Sequence, residues 1–297
     1  MTYFSEKEEG ERPQEKEEIG EGAWGGIRAL ITARIDDGSF GATYPISCED
    51  GRGPIGSDAD TLWQAMRAEI PNLQGRMLPP WYHGEDMPRT LDVLDMIQFC
   101  WRCIGKPVQV SYHQYFQHHH LRFDVEEGRE NFRIDVNRIL RRNGLAYELK
   151  EDGSIERLLP PVLRKALTSA YFQTLDSELN RMLEAARSRI IDPDEEIRRE
   201  ALEKLWDAWE RLKTQGAGSD KKVQTSALLD ATAGSSSPVL RKALENEAHE
   251  LTWIGNNMQI RHSEKGKERV AKVEHVDYLF HRLFSLVQVI LRTNEGL

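Results

Sequence analysis

The sequence predicts a mainly α protein, a helical N-terminal domain with one small β-hairpin followed by a helical bundle. Three observations carry this. Apolar residues recur at spacings of three and four in most of the chain. A single stretch shows two short alternating runs about an Asp-Gly turn. After Pro160-Pro161 only helical periodicity remains. A chain of 297 residues can bury two ordinary cores.

Residues 1–22 carry eight Glu in the first 21 positions, with Tyr3, Phe4 and Ile19 as the sizeable apolar groups. That composition does not offset ordering entropy, so an acidic arm, extended or flexible, is expected, with Tyr3 and Phe4 pinning its beginning. A first domain is expected over 23–168. Trp24, Ile27, Leu30, Ile31 and Ile35 mark its first helix, closed by Asp37-Gly38. Residues 36–60, rich in Gly, Asp and Ser, read as a long loop. Ser57 or Asp58 caps a helix over 60–70, ended by Pro71, and Pro79-Pro80 makes a further break. From Thr90, the residues Leu91, Leu94, Ile97, Cys100, Trp101 and Ile104 form the next stripe, stopped by Gly105-Lys106-Pro107. A polar-aromatic stretch over 112–120 precedes a helix from Phe132 to Arg142, and the hairpin follows at 145–158.

The second domain is expected over 169–297. Its helices are read at 173–190, with Leu175 on the inner stripe, and from Asp192 as N-cap with Pro193 at the first position to about Lys213. Trp206 and Trp209 sit on the inner face of that helix. One short helix lies within 214–236, another starts at Pro238, and the last runs over Val273–Arg292.

Composition narrows function. The formal charge of −9 argues against a protein that coats nucleic acid non-specifically, while leaving room for a local basic site. Charged residues are 30% and mean hydropathy is −0.60, so a soluble chain is expected. No apolar run reaches the roughly 18 residues of a membrane span, and the acidic start is unlike a signal peptide. Three cysteines cannot build a disulfide framework, which favours a reducing, cytoplasmic setting. No glycine-rich phosphate loop, G-x-S-x-G or H-E-x-x-H occurs, which weighs against nucleotide hydrolysis, serine hydrolase and zinc-protease chemistry.

Chemistry concentrates between the last two long helices, in Asn256-Asn257-Met258-Gln259-Ile260-Arg261-His262-Ser263-Glu264. His262 has the right ordinary pKa for a general acid or base. Arg261 suits a phosphate, and Asn256 or Asn257 can orient the ring or donate to an oxyanion. Lys265 and Lys267 follow as cations for an RNA backbone. The same residues equally suit a helix C-terminus capped by Asn, with Arg and His on the last carbonyls. Lys221 and Lys222 read as solvated charges that can also line a groove.

Two further patterns invite metal or redox readings. In His118-His119-His120 adjacent side chains point in different directions, so a polar loop or surface is expected rather than one chelated ion. Cys100-x-x-Cys103 lies inside an apolar helix, without a second ligand pair, and reads as structural burial. No metal and no cofactor are expected.

The segment F-R-I-D-V-N-R-I-L-R-R-N-G-L-A-Y-E-L-x-x-D-G-S-I (132–155) resembles an N-terminal domain found on AbiJ-like abortive-infection proteins. The stretches EALEKLWDAWERLK (200–213), LTWIGNNMQIRHSE (251–264) and DYLFHRLF (277–284) resemble a HEPN-type helical domain. That resemblance implies a prokaryotic antiphage effector. Many HEPN domains are metal-independent ribonucleases that dimerise so that two copies of an Arg-x(4–6)-His motif face one RNA strand. Carried onto this chain, the histidine falls on His262 and the arginine on Asn256 or Asn257, neither of which is Arg. Arg261 either replaces the guanidinium or the domain has lost cleavage and acts as an RNA-binding or protein-interaction module. Arg269 and His275 match the spacing in a Lys/Glu-rich connection. The resemblance also implies RNA and a second copy of the chain as partners, and a phage-derived or neighbouring-gene trigger. An apolar stripe on the last helix (Tyr278, Leu279, Leu283, Phe284, Leu286, Val287, Ile290) adds to the homodimer expectation.

Overall fold

The computed structural model describes residues 3–73, 87–159, 161–215, 220–260 and 267–294. These residues are mainly helical, with small antiparallel hairpins. They cluster into two units, Met1–Leu158 and Leu159–Leu297, each with its own apolar core. Among the described residues, no helix is long and apolar enough to cross a membrane.

The first unit orders its elements as α1 (Phe4–Glu9), α2 (Glu21–Asp36), β1 (Pro45–Ser47), β2 (Pro54–Ser57), α3 (Ala59–Glu69), α4 (Thr90–Cys103), β3 (Lys106–His113), β4 (His118–Asp124), α5 (Val125–Arg142), β5 (Tyr147–Leu149) and β6 (Ile155–Arg157). Ile27, Ile31, Leu62, Met66, Ile97, Cys100, Phe132, Val136 and Leu140 meet in its core, so the spacings over α2, α3, α4 and α5 are core stripes. Asp58 caps α3 by accepting from the Thr61 N–H at 3.1 Å. Asp124 does the same for α5, accepting from Glu127 N–H at 2.9 Å, and carries that helix one and a half turns or more upstream of Phe132.

The acidic segment is strapped down rather than loose. Lys16 N–H donates to Gly144 O at 2.9 Å and Ala146 N–H donates to Lys16 O at 2.8 Å. Tyr147 Oη donates to Glu17 O at 2.9 Å, Arg157 Nε to Glu17 Oε1 at 2.8 Å, and Ile19 is buried. Composition hid this because the partners, the backbone of Gly144 and Ala146 and the Tyr147 and Arg157 side chains, lie more than a hundred residues along the chain. Of the two aromatic pins, Tyr3 lies beneath the Arg142 guanidinium, while Phe4 is exposed.

The hairpin at 145–158 forms as β5–β6, with Tyr147 opposite Arg157 and Leu149 opposite Ile155. Two more hairpins, β1–β2 and β3–β4, occupy the stretches read as loop and polar-aromatic segment. Val110, Tyr112 and Tyr115 are exposed on the β3–β4 hairpin, and its other face carries histidine, so no apolar alternation announced it.

The second unit comprises α6 (Pro161–Thr168), α7 (Ser177–Arg189), α8 (Glu195–Leu212), α9 (Lys221–Ala233), α10 (Pro238–Asn257) and α11 (Val273–Thr293). It begins at Leu159 rather than near 169, because Leu159 and Leu167 are buried in its core and Leu163 packs against it. Helix α7 starts later than read: Asp176 caps it, accepting from Glu178 and Leu179 N–H, which leaves Leu175 exposed outside the stripe. The cap of α8 is Asp194, which accepts from Glu196 N–H at 2.8 Å. Asp192 instead turns the connection by accepting from Asp194 N–H at 2.8 Å. Trp206 and Trp209 are fully buried. Leu279, Leu283, Phe284, Leu286, Val287 and Ile290 of α11 are buried as well, which makes that stripe internal core and leaves Tyr278 outside it.

Candidate functional site

Helix α10 is pressed closely onto α8 at its C-terminal end. A Cβ on Gly255 would stand 2.2 Å from Trp206 Nε1, so only glycine fits, and Trp206 Nε1 donates to Leu251 O at 3.1 Å. Asn256 and Asn257 follow at once and are exposed. Asn257 Nδ2 donates to Trp253 O at 2.8 Å, which engages its amide in capping its own helix. Met258 then leaves helical geometry, and Gln259 N–H donates to Glu268 O at 2.8 Å beside a Met258–Glu268 bridge. Ile260 and Val270, which follow on the two sides of that bridge, are buried. Arg261, His262 and Lys265 lie outside the described residues. Lys267 is half-buried. Of the alternative pair, Arg269 is held by Glu196 at 3.2 Å, and His275 is exposed on the first turn of α11.

Lys221 and Lys222 do line a cleft of the second unit, together with Lys213, Arg241 and His249. Its cations are largely compensated. Glu210 pairs with Lys213 at 2.5 Å and with Lys221 at 3.9 Å, and Arg241 pairs with Asp230 at 2.5 Å and Glu245 at 3.7 Å.

The first unit holds a different constellation. Strand side chains alternate between faces, so His118 and His120 share one face of β4 and His119 takes the other. His119 is exposed and pairs with Tyr112, whose ring lies 4.8 Å away. His113 sits opposite His118. The turn after β1, held by Gly51 N–H on Cys48 O and Cys48 N–H on Gly53 O, brings Cys48 to the same place. One donor atom each from Cys48, His113, His118 and His120 lies within 4.8 Å of all the others. Cys48 Sγ is 3.1 Å from His118 Nε2 and 3.5 Å from His113 Nδ1, and Asp50 Oδ2 lies 3.3 Å from that same His113 nitrogen. Phe116 stacks flat on His118 and edge-on to His113.

Two members are buried, Cys48 and His120. His120 Nδ1 is engaged with Ser111 Oγ at 2.9 Å, while its buried Nε2 has no hydrogen-bond partner. Burial pushes the Cys48 thiol up, and the hydrogen bond with that thiol holds the Asp50 carboxyl below its ordinary range. The expectation of a polar surface therefore describes His119 alone. Alternation removes the middle histidine from the set but aligns its neighbours, and the signal in sequence was His-x(4)-His-x-His (113, 118, 120). Cys48 lies too far upstream for spacing to connect it.

Cys100 and Cys103 are both free thiols buried in α4, with the Cys100 thiol pushed far up by burial, which suits packing and not redox exchange. No family model matches the chain, and neither a curated protein nor a solved structure matches it.

Proposed function

We propose that the chain is a prokaryotic, cytoplasmic antiphage effector that binds RNA and cleaves it without a metal through Arg261 and His262. The reading rests on the HEPN-like stretch 251–264 and is supported by one observation above all. An isolated bridge between Met258 and Glu268 joins residues on either side of 261–266 in sequence, just past a helix end where Gly255 packs against Trp206. In this mechanism His262 takes the proton of a ribose 2′-OH, the oxygen attacks the adjacent phosphorus to form a 2′,3′-cyclic phosphate, and the 5′-oxygen leaves as a hydroxyl after taking a proton from water. Arg261 balances the charge on the phosphorane oxygens. Asn256, Lys265 and Lys267 hold the flanking backbone. RNA should be degraded in the presence of EDTA, and DNA, lacking the 2′-OH, should not. His262→Ala should lower the rate by about 10²–10⁴-fold. Cleavage that persists in both His262→Ala and Arg261→Ala would exclude this site.

A second reading, a non-catalytic RNA- or protein-binding module of a defence system, is favoured by the capping role of the Asn257 amide and by the absence of Arg at 256 and 257. It predicts saturable binding of RNA or of a protein partner without turnover, and single-site loss of cleavage in His262→Ala rules it out. A homodimer, which the resemblance implies, would have to form through exposed groups such as Trp253 and Tyr278, since the rest of the α11 stripe is internal. A monomeric mass at micromolar concentration excludes it.

A further inference from the structure

The geometry points to a zinc site in the first unit, with Cys48, His113, His118 and His120 as its four ligands. Tetrahedral zinc with bonds of about 2.0–2.1 Å to nitrogen and about 2.3 Å to sulfur sets ligand atoms roughly 3.3–3.6 Å apart. The two sulfur–nitrogen separations, 3.1 and 3.5 Å, already approach that spacing. His120 supplies the independent observation. Its Nδ1 is held by Ser111, the outer partner that fixes a ligating imidazole, and its Nε2 is buried with nothing to bond. A buried nitrogen without a partner carries an uncompensated desolvation cost, which a bound cation removes.

The donor set selects the ion. One thiolate and three imidazoles suit zinc, whereas magnesium and calcium take oxygen ligands. On binding, the Cys48 S–H bond breaks, a sulfur–zinc bond forms, and one proton leaves to solvent. The thiolate leaves a single positive charge on the centre, which the Asp50 carboxylate beside His113 offsets. Four protein ligands close the coordination shell, so the role is structural. The ion ties the tip of β3–β4 to the turn after β1. A two-stranded hairpin is marginal alone, and this one exposes Val110, Tyr112 and Tyr115 at its outer end.

The test uses the full chain without a histidine tag. Expected is one zinc per chain after exposure to zinc and desalting. Cobalt(II) substitution should give tetrahedral visible bands with a thiolate-to-cobalt charge-transfer band. X-ray absorption at the zinc edge should fit one sulfur at about 2.3 Å and three nitrogens at about 2.0–2.1 Å. Cys48→Ser should remove the charge-transfer band and His120→Ala the stoichiometric binding, while His119→Ala keeps both. Absence of stoichiometric zinc in the unaltered chain, a sulfur-free shell, an octahedral cobalt spectrum, or equal loss in His119→Ala would each overturn the site. The zinc and absorption readings on the unaltered chain decide the matter even where a variant fails to fold. RNA cleavage plays no part in these readouts.

Discussion

In the second unit, Arg198, Trp206 and Lys213 each hold helices together, whereas the first unit gathers four donors that no helix end requires. Arg198, fully buried, donates to the Asp192 and Pro193 carbonyls and fixes the α7–α8 connection. Trp206 donates to Leu251 O, and Lys213 is shared by Glu210 and Thr252. Each joins two pieces of one bundle. The cluster of Cys48, His113, His118 and His120 joins a turn to a hairpin tip and leaves His120 Nε2 unsatisfied. Buried nitrogens without a hydrogen-bond partner occur in both units, Trp209 Nε1 among them, and His120 Nε2 is set apart by the three further donor atoms gathered around it.

Three substitutions sharpen this contrast. Trp206→Ala should have the largest effect, about 4 kcal/mol, because it opens a cavity in a fully buried position and removes the bond from Trp206 Nε1 to the Leu251 carbonyl. Denaturant unfolding should show the loss in the second unit, with zinc uptake by the first unchanged, and joint loss of both would refute the separation of the cores. Gly153→Ala should cost the first unit about 2 kcal/mol. Its φ is +85°, and a Cβ there would lie 2.2 Å from Trp101 Cε3 at the β5–β6 turn. An unchanged unfolding midpoint would show that Trp101 gives way freely.

Asp176→Ala should cost about 1 kcal/mol as a lost cap. Here pH adds a second readout. The Arg211 guanidinium, then the backbone N–H of Leu179 and the Gln215 amide, hold the Asp176 carboxyl well below the usual carboxylate range. A depressed folded-state pKa gives stability that is present above the unfolded value of about 3.9 and lost as pH falls through the folded one. Wild type and variant should therefore converge in strong acid, and a gap independent of pH would assign the loss to capping geometry alone.

Helices were legible because their stripes are apolar and their caps are Asp, Asn, Gly or Pro in the expected places. The competition between Asp192 and Asp194 was not, since both suit a cap and only the turn between them decides. The β5–β6 hairpin announced itself through Asp152-Gly153, while β3–β4 did not, because its turn over 114–117 places Gln117, not glycine, at positive φ. Of the candidate sites, Asn256 and Asn257 were legible as a helix end. The zinc ligands were not, because 65 residues separate Cys48 from His113 and only folding joins them.

The alternation along β4 makes strand register itself a quantity that metal affinity can report. A slip of one residue turns every side chain of a strand to the opposite face. One residue inserted into the 114–117 turn that shifted β4 by a single step would send His118 and His120 to solvent and bring His119 inward alone. Binding would then fall from four donors toward three. An ion that holds only one of the two registers discriminates between them by its full binding energy, in a hairpin whose exposed tyrosines and valine scarcely distinguish them.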